Sequence, residues 1–166
     1  MKIMVVAASK HGSTQEIAEA IGTELRQAGH QVTVYEAKDN PSVEGYETAV
    51  IGSAVYAGSW LSEARTFVAE NQAALQTIPV WLFTSGPLGE DNPQPVSDPV
   101  QLPELLAQTD ARDHRIFVGK LDRDKLNLGE KLIIKMVKAP YGDFRDWDDI
   151  RVWAGEIAAA LVNNSE

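Results

Sequence analysis

The sequence predicts a doubly wound α/β domain, a parallel sheet with helices on both faces. Two observations carry this. Continuous apolar runs, the signature of strands buried on both sides, alternate along the chain with stretches of helical periodicity. No internal repeat and no Gly/Ser-rich linker divides the 166 residues, a length that suits one domain with five strands.

Lys2–Ala8 (KIMVVAA) is the first such run and predicts a central strand. Ser13–Gly29 follows with Ile17, Ile21, Leu25 and Ala28 on one helical stripe, and Gly29 stands where a helix C-cap belongs. Gln31–Glu36 alternates as a second strand, and Glu47–Ser53 reads as a third. Ser62–Leu75 predicts a second helix with Ala64, Phe67, Val68 and Leu75 inward. Ile78–Thr84 and Arg115–Gly119 complete five strands. The last helix spans about 147–162, with Asp146 as its N-cap and Ile150, Trp153, Ala154, Ile157 and Leu161 as its apolar stripe. Two stretches interrupt the alternation. The segment 86–103 holds five of the eight prolines and reads as a long loop, and 120–145 is an insertion before the last helix.

Composition narrows the function. A net charge of −9 argues against nucleic-acid binding, which needs basic stripes to displace counterions. With no cysteine, disulfides, thiolate catalysis, iron–sulfur clusters and Cys-ligated zinc are excluded. The three histidines lie in separate segments, so no metal site is expected. The apolar run within 1–8 is too short for a signal peptide or a membrane span, which predicts a cytoplasmic protein.

Sheets of this class bind ligands at the carboxyl ends of their strands, beside the switch point. The predicted loops there are 9–14, 54–61 and 85–103. The first, Ser9-Lys10-His11-Gly12-Ser13-Thr14, joins a buried strand to a helix start. Unpaired backbone N–H groups and hydroxyls make such a loop a phosphate seat. Ser13-Thr14-Gln15-Glu16 is also a capping box, which would satisfy the same N–H groups without a ligand. Neither the P-loop nor the G-x-G-x-x-G pattern is present, so a nucleoside triphosphate and a dinucleotide such as FAD are both disfavoured.

The pattern [ST]-x-x-G-[ST]-T after the first strand resembles the FMN phosphate loop of the flavodoxin-like family. With Glu16-Ile17-Ala18 it looks like the branch that includes the menaquinone-dependent protoporphyrinogen dehydrogenases. The resemblance covers nearly the whole chain. It implies strand order 2-1-3-4-5 and FMN as cofactor, with its phosphate on Ser9, Lys10, His11, Gly12, Ser13 and Thr14. It places Val55, Tyr56, Ala57, Gly58 and Trp60 beside the isoalloxazine ring, where Gly58 tolerates either sign of φ and the aromatics offer stacking surface. For Trp60 a second reading stands, packing on the following helix. Ser85, Gly86, Pro87 and Leu88 would meet the pyrimidine edge. No aromatic stands between Gly86 and Ile116, which would leave one face of the flavin open to a substrate or quinone.

The insertion differs in charge from the rest. Residues 120–151 carry eight Lys or Arg against seven Asp or Glu, whereas the remainder carries seven against seventeen. Within 126–139, Lys131, Lys135 and Lys138 share one helical face, with Leu132, Ile133, Met136 and Val137 on the other. Such a helix rests on an anionic membrane surface, docks a partner, or folds its apolar face onto the domain. The insertion, with Lys131–Met136, Gly142-Asp143 and Asp146-Trp147, strengthens the resemblance to the quinone-linked branch.

Three functions follow from these expectations. The first is an FMN-dependent oxidoreductase passing electrons between a reduced substrate and a quinone. The second is an electron carrier whose acidic surface meets a redox partner protein. The third is a flavin-free interaction module on the same fold.

Overall fold

The computed structural model describes residues 1–86, 98–137 and 142–163. Five parallel strands, β1 (Lys2–Ala8), β2 (Gln31–Glu36), β3 (Thr48–Tyr56), β4 (Val80–Ser85) and β5 (Asp113–Phe117), lie in the order 2-1-3-4-5. A short strand, Ser59–Trp60, pairs antiparallel with the end of β3, so the sheet has six strands where five were expected. The β3 strand runs on through Ala54–Tyr56, which was expected to be loop, because the chain doubles back there as a tight hairpin.

Side chains alternate across β1 and build two cores. Ile3, Val5 and Ala7 join Ile17, Ile21, Leu25, Phe83, Trp153 and Ile157 on one face. Met4, Val6 and Ala8 join Ile51, Leu82, Phe67 and Leu105 on the other. Burial of both faces is what the unbroken apolar runs demand. Gly52 pairs in register with Phe83 on the neighbouring strand. A Cβ on Gly52 would lie 2.1 Å from the Phe83 ring, so the ring packs flat where that side chain would be.

Helix α1 spans Ser13–Gln27. Its stripe is Ile17, Ala18, Ile21 and Leu25, whereas Ala28 is exposed because it is already the C-cap. Gly29 takes φ 94°, its N–H bonding Arg26 O while His30 N–H bonds Leu25 O. This is the Schellman stop that the glycine signalled. The second predicted helix is two, α2 (Ser62–Glu70) and α3 (Gln72–Leu75). They part at Asn71, whose side-chain amide turns back to Phe67 O and across to Asn40 Oδ1.

Helix α4 (Leu102–Thr109) was not expected. Pro103 made the segment read as loop, yet proline in the first turn loses no hydrogen bond that a helix would make. The insertion is an excursion whose ends pair, Lys120–Leu121 against Gly142–Asp143, and it contains helix α5 (Leu128–Val137). Helix α6 (Trp147–Asn163) closes the fold. Asp146 Oδ1 caps it by accepting from the N–H groups of Asp148 and Asp149 at 3.0 Å, and the expected stripe is buried throughout.

Candidate functional site

The loop after β1 reaches α1 through Gly12, which takes φ 89°. Ser9 Oγ accepts from Gly12 N–H at 2.9 Å and Thr14 N–H at 3.2 Å, which curls the loop into a cradle. The predicted capping box does not form. Ser13 is the first helical residue, and Glu16 turns to Arg145 instead of back toward the loop. Thr14 is fully buried, and its hydroxyl has no hydrogen-bond partner among the described residues. A buried hydroxyl without a partner costs about 1–3 kcal/mol, so its position calls for a ligand atom. The loop borders an open cleft of about 500 Å³ shared with Gln15, Glu19, Glu36 and Lys38.

The side chains of Lys10 and His11 meet a residue that the sequence did not single out. Both bond Oε1 of Glu130, His11 Nε2 at 3.2 Å. Glu130 is 8% exposed. Burial alone would raise its carboxyl, but hydrogen bonds from Lys10, the Asn127 N–H and His11 bring it down to about 2. An ionised carboxylate only accepts, so His11 carries its proton on Nε2. Glu130 also caps α5: its Oε2 accepts from Asn127 N–H, and its own N–H donates to Asn127 Oδ1, both at 2.9 Å. That reciprocal pair is a capping box, Asn-x-x-Glu at 127–130, and was the signal available in the sequence.

The insertion is tied to the same loop at two further points. Lys125 Nζ donates to His11 O at 3.4 Å, and Arg145 Nη1 to Ser13 O at 3.2 Å. The Arg145 side chain is 3% exposed, held by Asp143 through both carboxylate oxygens and lying 4.5 Å from the Trp147 ring centre. Nothing in the residue pattern announced that Arg145 reaches this loop, because its partners there, Ser13 and Glu16, are more than a hundred residues away in the chain.

The second predicted loop is the hairpin at the end of β3. Val55 pairs with Trp60 and Tyr56 with Ser59, leaving Ala57 (φ 50°) and Gly58 (φ 78°) as a two-residue turn. Two positive φ angles are what a type I′ hairpin requires. Glycine meets that without strain; Ala57 does not. Both turn residues are exposed, and Tyr56 is half-buried. The Lys10 ammonium lies 4.9 Å from the Tyr56 ring centre, so the first two loops touch. Burial, then the charge of Glu130, pushes the Tyr56 phenol up from its ordinary value of 10 to about 12.

Trp60 takes the second of its two readings. Its ring is 1% exposed and packs in the core, so it offers no stacking surface to a ligand. Its Nε1–H donates to Thr84 Oγ1 at 2.8 Å. Thr84 is also 2.8 Å from His114 Nε2, whose pKa is lowered by burial. A neutral His114 can accept a hydrogen bond from the Thr84 hydroxyl there, and its Nδ1 lies 3.9 Å from Asp98 Oδ1. Of the third loop, Ser85 is buried at the end of β4, and Gly86 takes φ 94° with its N–H on Phe117 O. Pro87 and Leu88 lie outside the described residues.

These residues fit an FMN. The cradle presents hydroxyls for a phosphate at a helix start, with one buried hydroxyl unpartnered, and an exposed hairpin turn stands beside it. Comparison with known proteins agrees. The chain is 24% identical to protoporphyrinogen IX dehydrogenase [quinone] of Escherichia coli K12, over 95% of each chain. A flavodoxin from the Archaea superposes with a TM-score of 0.57 at 24% identity, covering 83% of this chain and 97% of that one. A flavodoxin of Streptococcus pneumoniae gives 0.60 at 20% identity over 96% and 99%. Residues 4–148 match the flavodoxin domain family, and the chain belongs to that family of FMN-binding redox proteins.

Proposed function

We propose that this chain is an FMN-dependent oxidoreductase that passes electrons from a reduced substrate to a quinone-type acceptor. FMN supplies the electron-transfer chemistry when bound; the protein holds and orients it. Ser9, Ser13 and Thr14 bind the phosphate, the Tyr56 hairpin orients the ring, and the 120–145 segment closes against the phosphate loop. The observation that carries the quinone assignment is this segment, which the similarity to the quinone-dependent enzyme spans along with the rest of the chain. Thr14→Ala is expected to weaken FMN binding by about 1–3 kcal/mol, the value of a hydrogen bond to a charged group, and riboflavin binding much less. Calorimetric titration with both flavins checks this. Equal losses would mean that Thr14 acts through folding.

We further propose that α5 brings the flavin to an anionic membrane surface. No helix among the described residues is long and apolar enough to cross a membrane. Leu132, expected on the face opposite the lysines, is 59% exposed, and Leu128 one turn earlier is 86% exposed. Lys135 is exposed and Lys131 half-buried, while Lys138 lies outside the described residues. Exposed leucines beside lysines suit a lipid headgroup layer, where each lysine contributes about 1 kcal/mol. The protein is expected to sediment with anionic vesicles at low salt and to reduce a soluble quinone in steady state. Replacing Lys131, Lys135 and Lys138 with Gln should abolish the first and leave FMN binding intact. Absence of vesicle binding at low ionic strength would overturn the membrane contact, and absence of quinone turnover would favour an electron carrier.

A further inference from the structure

The hairpin at Tyr56–Trp60 is held from outside by two residues at the threshold of α4. Val100 N–H donates to Gly58 O at 2.9 Å. Gln101 Oε1 accepts from Trp60 N–H at 3.2 Å, and Gln101 Nε2 donates to Ser59 Oγ at 3.0 Å. A single amide side chain thus takes up one backbone donor and one hydroxyl on the returning limb of the turn. Val100 reaches over the tip, its Cγ2 3.7 Å from where a Gly58 Cβ would stand. Its side chain is 75% exposed, so burial does not explain this placement.

The turn needs such support. A two-residue strand is a short anchor, and Ala57 sits at a φ that non-glycine residues resist. The base of the hairpin is fixed independently. Leu61 N–H donates to Ser53 Oγ at 3.0 Å, and the Trp60 ring is anchored on Thr84. What Gln101 adds is a hold on Ser59 and the Trp60 amide, the returning limb that carries the exposed tip a flat ligand would meet.

We propose that Gln101 is a positioning residue for the cofactor: it clamps the Tyr56–Trp60 hairpin in the one conformation that receives the flavin ring. This rests on the reading of that hairpin as the ring site. A residue that acts on the ring loop affects FMN and riboflavin alike, because both carry the ring, and leaves the advantage of the phosphate untouched. It also changes the midpoint potential of the bound flavin, since a looser hairpin presents different hydrogen-bonding groups to the two oxidation states.

The test uses the full chain with Gln101→Ala and Gln101→Glu. Glutamate keeps the acceptor for Trp60 N–H and accepts a proton from the Ser59 hydroxyl in place of donating one. Hydrogen exchange of the Trp60 amide is measured in apoprotein, where no flavin is involved. Dissociation constants for FMN and riboflavin and the midpoint potential follow. Gln101→Ala is expected to speed Trp60 exchange about ten-fold, the effect of losing one or two hydrogen bonds. It should weaken both flavins by a common factor of about five to ten and shift the potential, while Gln101→Glu restores exchange protection. Unchanged exchange in Gln101→Ala would overturn the clamp. Faster exchange with unaltered affinities and potential would overturn its role toward the flavin, as would a loss confined to FMN. Wild-type protein that binds neither flavin would overturn the site assignment itself, and the exchange rates would still decide whether Gln101 holds the hairpin.

Discussion

Trp153→Ala is expected to cost about 3–5 kcal/mol of folding stability, the range for removing a fully buried large aromatic side chain. Trp153 is 1% exposed and meets Phe117 and Phe83 edge to face, with ring centres 5.5 and 6.2 Å away. Those geometries favour aromatic pairs beyond the area they bury. Its Nε1–H reaches out of the core to Asp113 Oδ2 at 2.8 Å, which ties α6 to the first residue of β5. Alanine leaves a void that three layers line, and the edge strand loses its tie to the helix. For a chain of this length the melting temperature should fall by about 6–20 °C. Trp153→Phe keeps most of the packing and loses the hydrogen bond and part of the ring volume, so it should cost less, about 1–2 kcal/mol. Denaturant unfolding of both variants checks the order. An alanine variant no worse than the phenylalanine one would show that the aromatic cluster contributes little.

Glu130→Ala is expected to cost about 2–4 kcal/mol, combining a lost helix cap with a broken ion pair that is buried at its carboxylate end. The Lys10 side chain remains substantially exposed, which keeps the figure below that of a fully enclosed pair. The effect has a pH signature. In the folded protein the Glu130 carboxyl is held near about 2, below its ordinary value of 4.5. The folded state therefore binds this proton less readily than the unfolded one. The stabilisation is complete above about pH 5 and is lost as the pH falls from there toward 2. Wild-type protein should lose stability over that window, and Glu130→Ala should lose less of it. Urea unfolding of both at pH 7 and pH 3 measures the difference. Equal acid sensitivity would show that the carboxylate is not stabilised by Lys10 and His11.

The parts of this fold that the residue pattern announced are those set by local chemistry. The β1 strand is an unbroken apolar run because both of its faces are covered. Gly29 stops α1 because only a left-handed residue completes the stop, and Asp146 starts α6 because its carboxylate caps two N–H groups. The loop after β1 stood out for the same reason, since hydroxyls and a glycine stand between a strand and a helix. What escaped depends on distant partners. Helix α4 is short and begins with a proline, so its periodicity is weak. Trp60 carries the same composition whether it faces a ligand or the core, and only Thr84, twenty-four residues on, decides it. Glu130 is a cap by local rules, but its pairing with Lys10 and His11 joins segments about 120 residues apart. Ala57 hides a turn because alanine is a poor signal for positive φ, and the hydrogen bonds that Val100 and Gln101 make to the hairpin come from some forty residues further on.

The flat packing of Phe83 on Gly52 constrains how this sequence can drift. Neither position is free to change alone. A methyl group at 52 would stand inside the ring at 83, and a smaller residue at 83 would open a hole over a strand that has nothing to fill it. The acceptable exchanges are paired ones, with side-chain volume passing from one strand to its neighbour. Gly52→Ala should therefore be damaging beside phenylalanine and tolerated, even restorative, beside leucine or valine at 83. Among proteins with this sheet, volume at the two positions should be anticorrelated, so the order of the two substitutions decides which lineages are viable.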